Sequence, residues 1–398
     1  MKYPPLILKK GEDRRLRAGH VWVFSNEVET YKTPLETLTP GQAVMILASN
    51  GKSLGTGYVN PHSLICARLV SRDPSCPFGP ALVIRRLKQA LTLRERLFDR
   101  PYYRLIYGES DGLPGLVADR YGEVLVLQLN TAGMEQIKGH IIDALVQTLE
   151  PAAILLRNDT PSRALEGLTH YVETAYGTLP ESIILTENQA RFEVPLEQGQ
   201  KTGWYYDHRF NRERMLRYVK HQRILDVFSY LGAWGIEAAL AGASQVMAIE
   251  ASAFGIKQLE QNALLNQVAA TITLVHGDAF DRLKALYTAD ERFDIVILDP
   301  PAFIKRKKDL KEGCLAYQRL NQWAMQVLTQ EGILISSSCS YHLNRALFLD
   351  ILRRAALTLN RHLQILEQGH AGPDHPVHPA IPETDYLKTY FCRVIEDR

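Results

Sequence analysis

Acidic residues stand at the ends of three consecutive apolar segments in the second half of this 398-residue chain. Asp226 lies in LDVFSYLGAWG, Glu250 ends QVMAIE, and Asp278 follows ITLVHG. A dinucleotide site would carry G-x-G-x-x-G, whose backbone amides bind phosphate and disfavour a nearby carboxylate. Carboxylates here suit an ammonium group, the ribose hydroxyls and an adenine amino group. Together the acids predict S-adenosylmethionine as cofactor. Capping of the next helix stays an alternative for Asp278 and Asp226.

The fourth apolar segment ends in Asp299-Pro300-Pro301-Ala302-Phe303. The two prolines fix the backbone and leave Asp299 and the neighbouring carbonyls facing the strand ends. We expect Asp299 or the backbone to hold the edge of a nucleobase while Phe303 stacks on its ring. A purely structural strand exit is the alternative.

The fifth segment ends in Ser336-Ser337-Ser338-Cys339-Ser340, which predicts a thiol close to Asp299. A thiolate that adds to carbon 6 of a pyrimidine makes carbon 5 able to attack a methyl sulfonium. In this scheme Asp299 stabilises the adduct as a carboxylic acid at the ring nitrogen, and a base removes the carbon-5 proton. A small buried thiol without chemistry is the alternative.

The elements that must position these residues alternate regularly from about residue 190 onward. Five strand patterns begin at ILDVF, QVMAIE, ITLVHGD, FDIVILDPP and GILISSSCS, and a helical pattern follows each. Such alternation predicts a parallel sheet with helices on both faces. Ligands of such sheets bind at the carboxyl ends of the strands, where the acids and Cys339 stand.

The first 190 residues have a different pattern. Short β-rich segments at 21–24, 43–48, 55–60 and 64–70, separated by glycines, predict a small β-barrel over residues 1–73. DPSCPFGP (73–80) marks a boundary, and helical and strand patterns then predict a small α+β domain over 81–190. Residues 191–398 form the third predicted domain.

Composition narrows the class of protein. Hydrophobic residues make up 46% of the chain and charged residues 23%, as in a soluble globular protein. No apolar run approaches the roughly 18 residues of a membrane span, so we expect no membrane partner and a cytoplasmic location. The five cysteines show neither disulfide nor zinc spacing, and no metal is expected.

The net charge is only +2, but basic residues cluster locally. Residues 1–73 hold ten Lys or Arg and six Asp or Glu, and residues 303–312 hold five basic and two acidic residues. Such patches suit contact with RNA phosphates. A solvated surface is the alternative. The candidates for RNA contact are Arg14, Arg15, Lys305 and Arg306.

Several of these motifs in combination resemble the bacterial large-subunit rRNA cytosine-5 methyltransferase family, the RlmI-like enzymes. They are QGQKTGWYYDHRFNR (198–212), LDVFSYLGAWG, LDPPAF, SSCS and DHPVHPAIPETDYLK (374–388). KKGEDRRLRAGHVWVFSNEV resembles the family's PUA RNA-binding barrel, and YRLIYGESDGLPGLVADRYG (103–122) its middle domain. The resemblance covers nearly the whole chain.

The resemblance implies an α/β Rossmann-like class I methyltransferase domain, preceded by a PUA-like β-barrel and an α+β middle domain. The substrate would be 23S rRNA or a large-subunit particle, and a homodimer is left open. Cys339 would be the nucleophile and Asp299 the acid at the base edge. The expected RNA contacts include Arg209, Pro300 and Phe303. The expected cofactor residues are Lys201, Thr202, Gly203, Tyr205, Asp226, Phe228, Gly232, Glu250, Asp278, Ala279 and Asp299.

One departure affects the last step of the reaction. Many cytosine-5 RNA enzymes carry a second cysteine where this chain has Pro301, so another group must assist release of the product. Two alternatives stay open. One is methylation of an exocyclic amine or a purine nitrogen, with Cys339 as a bystander. The other is a non-catalytic RNA-binding or ribosome-assembly factor.

Overall fold

The computed structural model describes residues 3–396 and divides the chain into two compact units. The first unit comprises residues 3–183, 195–206 and 373–384, and the second comprises 184–194, 207–372 and 385–396. The three domains at 1–73, 81–190 and 191–398 stay a prediction, and the outermost two residues at each end lie outside the described residues.

The first unit contains two five-stranded sheets. Its elements are β1 (Pro5–Ile7), α1 (Arg14–Arg17), β2 (Trp22–Val23), β3 (Ala43–Leu47), β4 (Ser53–Val59), β5 (Ala67–Ser71), α2 (Pro80–Leu97), β6 (Tyr102–Tyr107), β7 (Leu116–Tyr121), β8 (Val124–Leu129), α3 (Ala132–Gln136), α4 (Lys138–Leu149), β9 (Ala153–Asn158) and β10 (Tyr171–Gly177). The first sheet has the strand order β1-β3-β4-β5-β2 and corresponds to the predicted barrel. The second has the order β10-β9-β8-β7-β6.

The second unit is built around a seven-stranded sheet, with a short hairpin before it. The hairpin strands are β11 (Ile183–Glu187) and β12 (Ala190–Val194). The other elements are α5 (Arg209–Met215), β13 (Arg223–Val227), α6 (Ala233–Leu240), β14 (Gln245–Glu250), α7 (Ala253–Leu265), β15 (Ile272–His276), α8 (Ala279–Thr288), β16 (Phe293–Leu298), α9 (Leu310–Gln326), β17 (Leu328–Ser338), α10 (Arg345–Thr358), β18 (Arg361–Gly369) and β19 (Lys388–Glu396).

The strand order of this sheet is β15-β14-β13-β16-β17-β19-β18, which confirms the predicted Rossmann-like fold. The five strands from β13 to β17 are parallel, with a helix between each strand and the next. Val227 pairs with both Ile249 and Leu298, and Leu298 pairs with Ser336. This register brings the carboxyl ends of β13, β14, β16 and β17 to one edge of the sheet.

The five alternating strands are parallel, as predicted, whereas β19 is antiparallel to both β17 and β18. Residues 370–387 between β18 and β19 contain one short 3-10 helix and no α-helix. A parallel pairing needs a long crossover, usually helical. The chain therefore returns as an antiparallel neighbour, and β19 lies between β17 and β18.

The core of the second unit explains why the apolar segments fold as they do. Side chains of β13, β16 and β17 pack with those of α8, α9 and α10 in one buried cluster. Leu225, Val296 and Leu334 of the strands and Leu320 and Leu352 of the helices are fully buried there. Removal of this apolar surface from water drives the layered packing.

Within residues 3–396, no helix is both long and apolar enough to cross a membrane. The same residues contain no group of three or more His, Cys, Asp or Glu side chains arranged to hold a metal ion.

Two glycines in consecutive helices of the first unit allow a matched test of its packing. A Cβ at Gly133 in α3 would lie 2.2 Å from Cγ of the fully buried Tyr58, whereas one at Gly139 in α4 would meet nothing within 4 Å. We expect Gly133→Ala to lower the free energy of unfolding by about 1–3 kcal/mol, because an overpacked core cannot relax fully. Gly139→Ala should raise it by up to about 1 kcal/mol. Urea unfolding measures both, and equal effects of the two substitutions would contradict the packing described.

Candidate active site

Asp226 lies at the base of the loop between β13 and α6. Its side chain is fully buried, and Oδ2 accepts the backbone N–H of Gly235 at 3.0 Å. Oδ1 has no hydrogen-bond partner in the described part of the chain. Burial raises the pKa of Asp226 to about 7, and the nearby carboxylates of Asp299 and Glu250 add to the rise. The carboxylate thus helps to hold the first turn of α6 and keeps one oxygen for a cationic or hydrogen-bond-donating ligand.

Glu250 ends the neighbouring strand and organises two turns of backbone. Oε2 accepts the N–H of Tyr230 and Oε1 accepts that of Ser252, both at 2.8 Å. Gly255 lies against this carboxylate, since a Cβ at Gly255 would be 2.9 Å from Cγ of Glu250. Each carboxylate oxygen has a second lone pair, so Glu250 can accept ligand hydroxyls while its position stays fixed.

Asp278 takes the capping role that the sequence left as an alternative. It is exposed and is the N-cap of α8, where Oδ1 accepts the N–H groups of Phe280 and Asp281 at 2.9 and 3.2 Å. The next residue, Ala279, is buried. A hydrogen bond from Asp278 to a ligand would use its second oxygen.

The loop after β13 has an unusual backbone. Phe228, Tyr230 and Gly232 all have positive φ, at 67°, 49° and 86°. A Cβ at Gly232 would lie 2.7 Å from Cγ of Leu259, so the turn into α6 requires glycine there. Left-handed conformations of Phe and Tyr are strained, and such strain concentrates at functional sites.

Asp299 follows β16 and is held by two side chains that the sequence did not single out. Nε2 of His208 lies 3.1 Å from Oδ1, and the indole N–H of Trp234 donates to Oδ2 at 3.1 Å. The rings of His208 and Trp234 meet edge to face, with centroids 5.4 Å apart. The carboxylate of the Asp-Pro-Pro motif is therefore fixed from two sides.

The ion pair corrects the protonation state expected for Asp299. Burial raises the pKa of Asp299, but the charge and hydrogen bond of His208 outweigh it and lower the pKa below its usual value. Burial also lowers the pKa of His208, and Asp299 outweighs this and raises it. Asp299 is thus a carboxylate near neutral pH, not the carboxylic acid that we expected, and its charge favours the protonated form of His208.

The Asp-Pro-Pro segment and the end of β17 lie side by side, as predicted. Sγ of Cys339 lies 3.9 Å from the carbonyl oxygen of Pro300. Ser340 Oγ accepts the N–H of Ile304 at 3.2 Å and also contacts the Tyr317 hydroxyl at 2.9 Å. These bonds tie the two strand ends together and place the thiol next to the motif.

Phe303 is half-buried and packs among aromatic rings. Its ring centroid lies 4.8 Å from that of Tyr317, 6.3 Å from that of Phe280 and 6.5 Å from that of Phe228. The ring is thus held in place by its neighbours, which suits a fixed stacking surface but equally anchors the loop.

A buried lysine on β19 stands beside this pair of strand ends. Lys388 is 2% exposed and donates from Nζ to the carbonyl oxygens of Ser340 at 2.7 Å and Tyr386 at 2.6 Å. It pairs in register with Ser338, so it faces the residues on both sides of Cys339. Lys388 and His208 both occur in motifs that carry the family resemblance. The sequence gave no sign, however, that Lys388 contacts Ser340 or that His208 contacts Asp299.

The predicted cofactor residues at 201–205 are described within the first unit. Thr202 is buried and its carbonyl oxygen accepts the Tyr121 hydroxyl at 3.1 Å. Lys201 lies over the Tyr205 ring at 4.8 Å, and the N–H of Gly203 donates to the Gln200 carbonyl at 2.8 Å. Their role at the cofactor stays a prediction.

The cationic residues predicted to contact RNA differ in their surroundings. Arg209 pairs with the buried Glu187 at 3.0 Å, and Arg15 pairs with Glu27 at 2.6 Å and lies over the ring of Phe24. These two side chains already have structural partners. The exposed members of the set are Arg14, Lys305 and Arg306, of which Arg306 pairs with Asp309.

Asp226→Asn separates a ligand role of Asp226 from a structural one. A raised pKa means that the folded state binds the proton more tightly than the unfolded state. The stability due to this group is therefore full below about pH 4 and falls until about pH 7. The Asp226→Asn protein carries no charge at this position. Its melting temperature, relative to that of the wild type, should therefore rise between pH 5 and pH 8. If Oδ1 accepts a ligand ammonium, affinity for S-adenosylhomocysteine should fall about tenfold or more.

Thermal melts across this pH range and calorimetry measure the two effects. Asp290→Asn, at a side chain that is 87% exposed, is the matched control and should alter neither. Unchanged ligand affinity in a stable Asp226→Asn protein would refute the ligand role.

Comparisons with known proteins agree with this fold. Residues 6–72 match the PUA-like domain family, and residues 209–336 match the family described as conserved hypothetical protein 95. The chain is similar in fold to the crystal structure of SMU.776 complexed with SAH, with a TM-score of 0.84 and 21% identity over 98% of this chain and all of that one. A second solved chain, from Streptococcus mutans, has a TM-score of 0.83 with 20% identity over the same shares. The predicted fold, that of an S-adenosylmethionine-dependent methyltransferase with a PUA-like domain, is confirmed.

Two full-length relatives identify the family. The chain is 37% identical over 398 residues to ribosomal RNA large subunit methyltransferase I of Salmonella arizonae, covering 99% of this chain and 98% of that protein. It is 36% identical over 395 residues to the protein of the same name from Aliivibrio fischeri, covering 98% and 99%. Because this identity extends over the whole chain, the protein belongs to the ribosomal RNA large subunit methyltransferase I family.

Proposed function

We propose that this protein methylates carbon 5 of a cytosine in 23S rRNA, with S-adenosylmethionine as cofactor and Cys339 as covalent nucleophile. The observation that carries the proposal is the position of the Cys339 thiol, 3.9 Å from the carbonyl of Pro300 in the Asp-Pro-Pro motif. A nucleophile and a base-binding carboxylate at one sheet edge suit a reaction that needs both. The names of the full-length relatives support the choice of large-subunit rRNA.

The residues at the ends of β13, β14 and β15 fit the cofactor. The buried Asp226 Oδ1 lacks a partner among the described residues and would accept the ammonium group. Glu250 would accept the ribose hydroxyls, and Asp278 and Ala279 would bind at the adenine. When bound, S-adenosylmethionine supplies the methyl group that carbon 5 accepts.

Cys339 takes part in the steps before and after methyl transfer. The Cys339 thiolate adds to carbon 6 of cytosine and forms a C–S bond, which makes carbon 5 electron-rich. After carbon 5 is methylated, a base removes its proton, the C–S bond breaks and Cys339 leaves again as a thiolate. No net oxidation occurs in this sequence.

The carboxylate form of Asp299 suits cytosine as the target base. The exocyclic amine of cytosine is a donor, and an aspartate accepts from it. His208 and Trp234 fix the two oxygens of Asp299, so the acceptor is preorganised. A carboxylate so held lowers the entropic cost of orienting the base.

The first sheet offers a site for RNA outside the reaction centre. Residues 6–72 match the PUA-like family, and residues 1–73 carry a local excess of four positive charges. Arg14 is exposed on α1, whereas Arg15 is engaged with Glu27. We infer that Arg14 contacts an RNA phosphate and that Arg15 stabilises the sheet.

Cys339→Ala tests the mechanism. It removes the covalent step and no contact to the base edge, so RNA and cofactor affinity should stay near wild type while methylation falls at least about a thousandfold. RNA that contains 5-fluorocytosine should trap wild-type protein in a denaturation-resistant adduct, since fluorine cannot leave as the proton does. Gel electrophoresis after denaturation and nucleoside mass spectrometry provide the readouts.

Cys314→Ala, which removes a half-buried thiol on α9, is the matched control and should methylate and trap normally. Substantial methylation by Cys339→Ala would reject the cytosine-5 mechanism and favour an exocyclic amine or a purine nitrogen. RNA binding without any methyl transfer by the wild-type protein would favour the assembly-factor alternative.

Arg14→Gln tests the RNA contact. A single lost phosphate contact should lower the log–log salt slope of binding by about 0.7 for single-stranded RNA, with cofactor affinity unchanged. Filter binding of transcribed large-subunit rRNA at several salt concentrations measures the slope. Lys52→Gln, at an exposed lysine directly before β4, serves as control. The same slope in Arg14→Gln and wild type would remove Arg14 from the interface.

A further inference from the structure

Lys388 stands beside Cys339, and the proposed reaction has so far assigned it no role. Its side chain is 2% exposed, and a lysine is almost never fully buried without a reason. Both of its hydrogen-bond acceptors, the carbonyls of Ser340 and Tyr386, are uncharged. Carbonyls orient an ammonium group but do not neutralise it, so the site bears the cost of a buried charge.

The position of Lys388 relates it to Cys339. Lys388 pairs with Ser338 across β17 and β19 and donates to Ser340, so it contacts the residues on either side of the thiol. Burial lowers the pKa of Lys388 to about 8, and Cys339 is the largest of the charged influences that raise it. Arg345 lowers this pKa and Asp385 raises it, and these two side chains pair with each other at 3.3 Å.

A nearby cation would favour the reactive form of this thiol. Its sulfur lies 3.9 Å from the Pro300 carbonyl, which can accept from S–H but offers nothing to S⁻. This contact favours the protonated thiol, which is not the nucleophile. Tyr317 also acts on Cys339, but burial raises the pKa of Tyr317 to about 12, and its hydroxyl is bound to Ser338 and Ser340. Tyr317 therefore keeps its proton.

We propose that Lys388 is the positioning residue that, as an ammonium group, favours loss of the Cys339 proton and holds the resulting thiolate by its charge. The step releases one proton from Sγ to solvent and changes no oxidation state. The same ammonium stabilises the thiolate again when the C–S bond to carbon 6 breaks. The proposal rests on Cys339 as nucleophile, but the thiol–lysine pair can be tested without RNA.

The test is the pH dependence of Cys339 alkylation in the full-length protein. Wild type, Lys388→Gln and Lys388→Arg are treated with iodoacetamide between pH 6 and pH 10, and peptide mass spectrometry follows each cysteine. An adjacent cation lowers a thiol pKa by about 1–3 units. The midpoint for Cys339 should therefore rise by about one pH unit or more in Lys388→Gln. It should stay low in Lys388→Arg, which keeps the charge.

Cys314 is an internal control, because its alkylation should follow the same curve in all three proteins. Glutamine can still donate to the Ser340 carbonyl, so we expect Lys388→Gln to fold. Thermal melts verify that it does. In methylation assays, the acidic limb of kcat/KM should move to higher pH in Lys388→Gln in parallel with the alkylation curve. A merely structural role of Lys388 would lower the rate without moving this limb.

The two proposals fail in different ways. An alkylation midpoint for Cys339 that is equal in wild type and Lys388→Gln would overturn the role of Lys388. A shifted midpoint together with no 5-fluorocytosine adduct in the wild type would leave the pair intact and overturn Cys339 as nucleophile.

Discussion

The parallel register of β13, β14, β16 and β17 is the constraint on which the site depends. Because Val227 pairs with Ile249 and Leu298, and Leu298 with Ser336, four strands end at the same level. Residues far apart in sequence, such as Asp226 and Cys339, are thereby carried to one edge. A shift of one residue in any of these strands would turn its last side chains to the opposite face of the sheet.

This edge brings ionisable groups together, and each is stabilised differently. Asp226 accepts a backbone amide and has a raised pKa, Asp299 is paired with His208, and Lys388 is held by two carbonyls. Of the three, only Asp299 has a basic side chain as a direct partner. For Asp226 and Lys388, part of the free-energy cost of burying a charge is not compensated. This is expected where a ligand or a second reactive group completes the environment.

The sequence predicts much of this arrangement because strand ends can be identified from local patterns. QVMAIE matches β14 residue for residue, and the acids and Cys339 lie at or just past the strand ends as expected. The hydrophobic pattern over residues 134–149 fits one continuous helix, but the structure has two, α3 and α4, since Ile137 between them departs from helical backbone angles. A change of two dihedral angles at one residue has no signature in the hydrophobic period.

What the sequence did not reveal comes from contacts between distant segments. His208 precedes the sheet, and Lys388 enters it on the last strand, which lies antiparallel beside β17 because no helix precedes it. The carboxylic acid form expected for Asp299 was therefore wrong. The protonation state of Asp299 depends on His208, which lies 91 positions earlier in the chain. Charge states are set by three-dimensional neighbours, and local patterns do not contain them.

The Pro300 carbonyl and Lys388 favour different protonation states of the Cys339 thiol. The Pro300 carbonyl lies where it can accept from the thiol, and no backbone N–H can replace it, because proline has none at positions 300 and 301. The Asp-Pro-Pro segment therefore favours the resting thiol, while Lys388, on the other side of β17, favours the thiolate. In the proposed mechanism, a base that binds between these groups would shift the balance between thiol and thiolate, so that the nucleophile would form when the substrate is present.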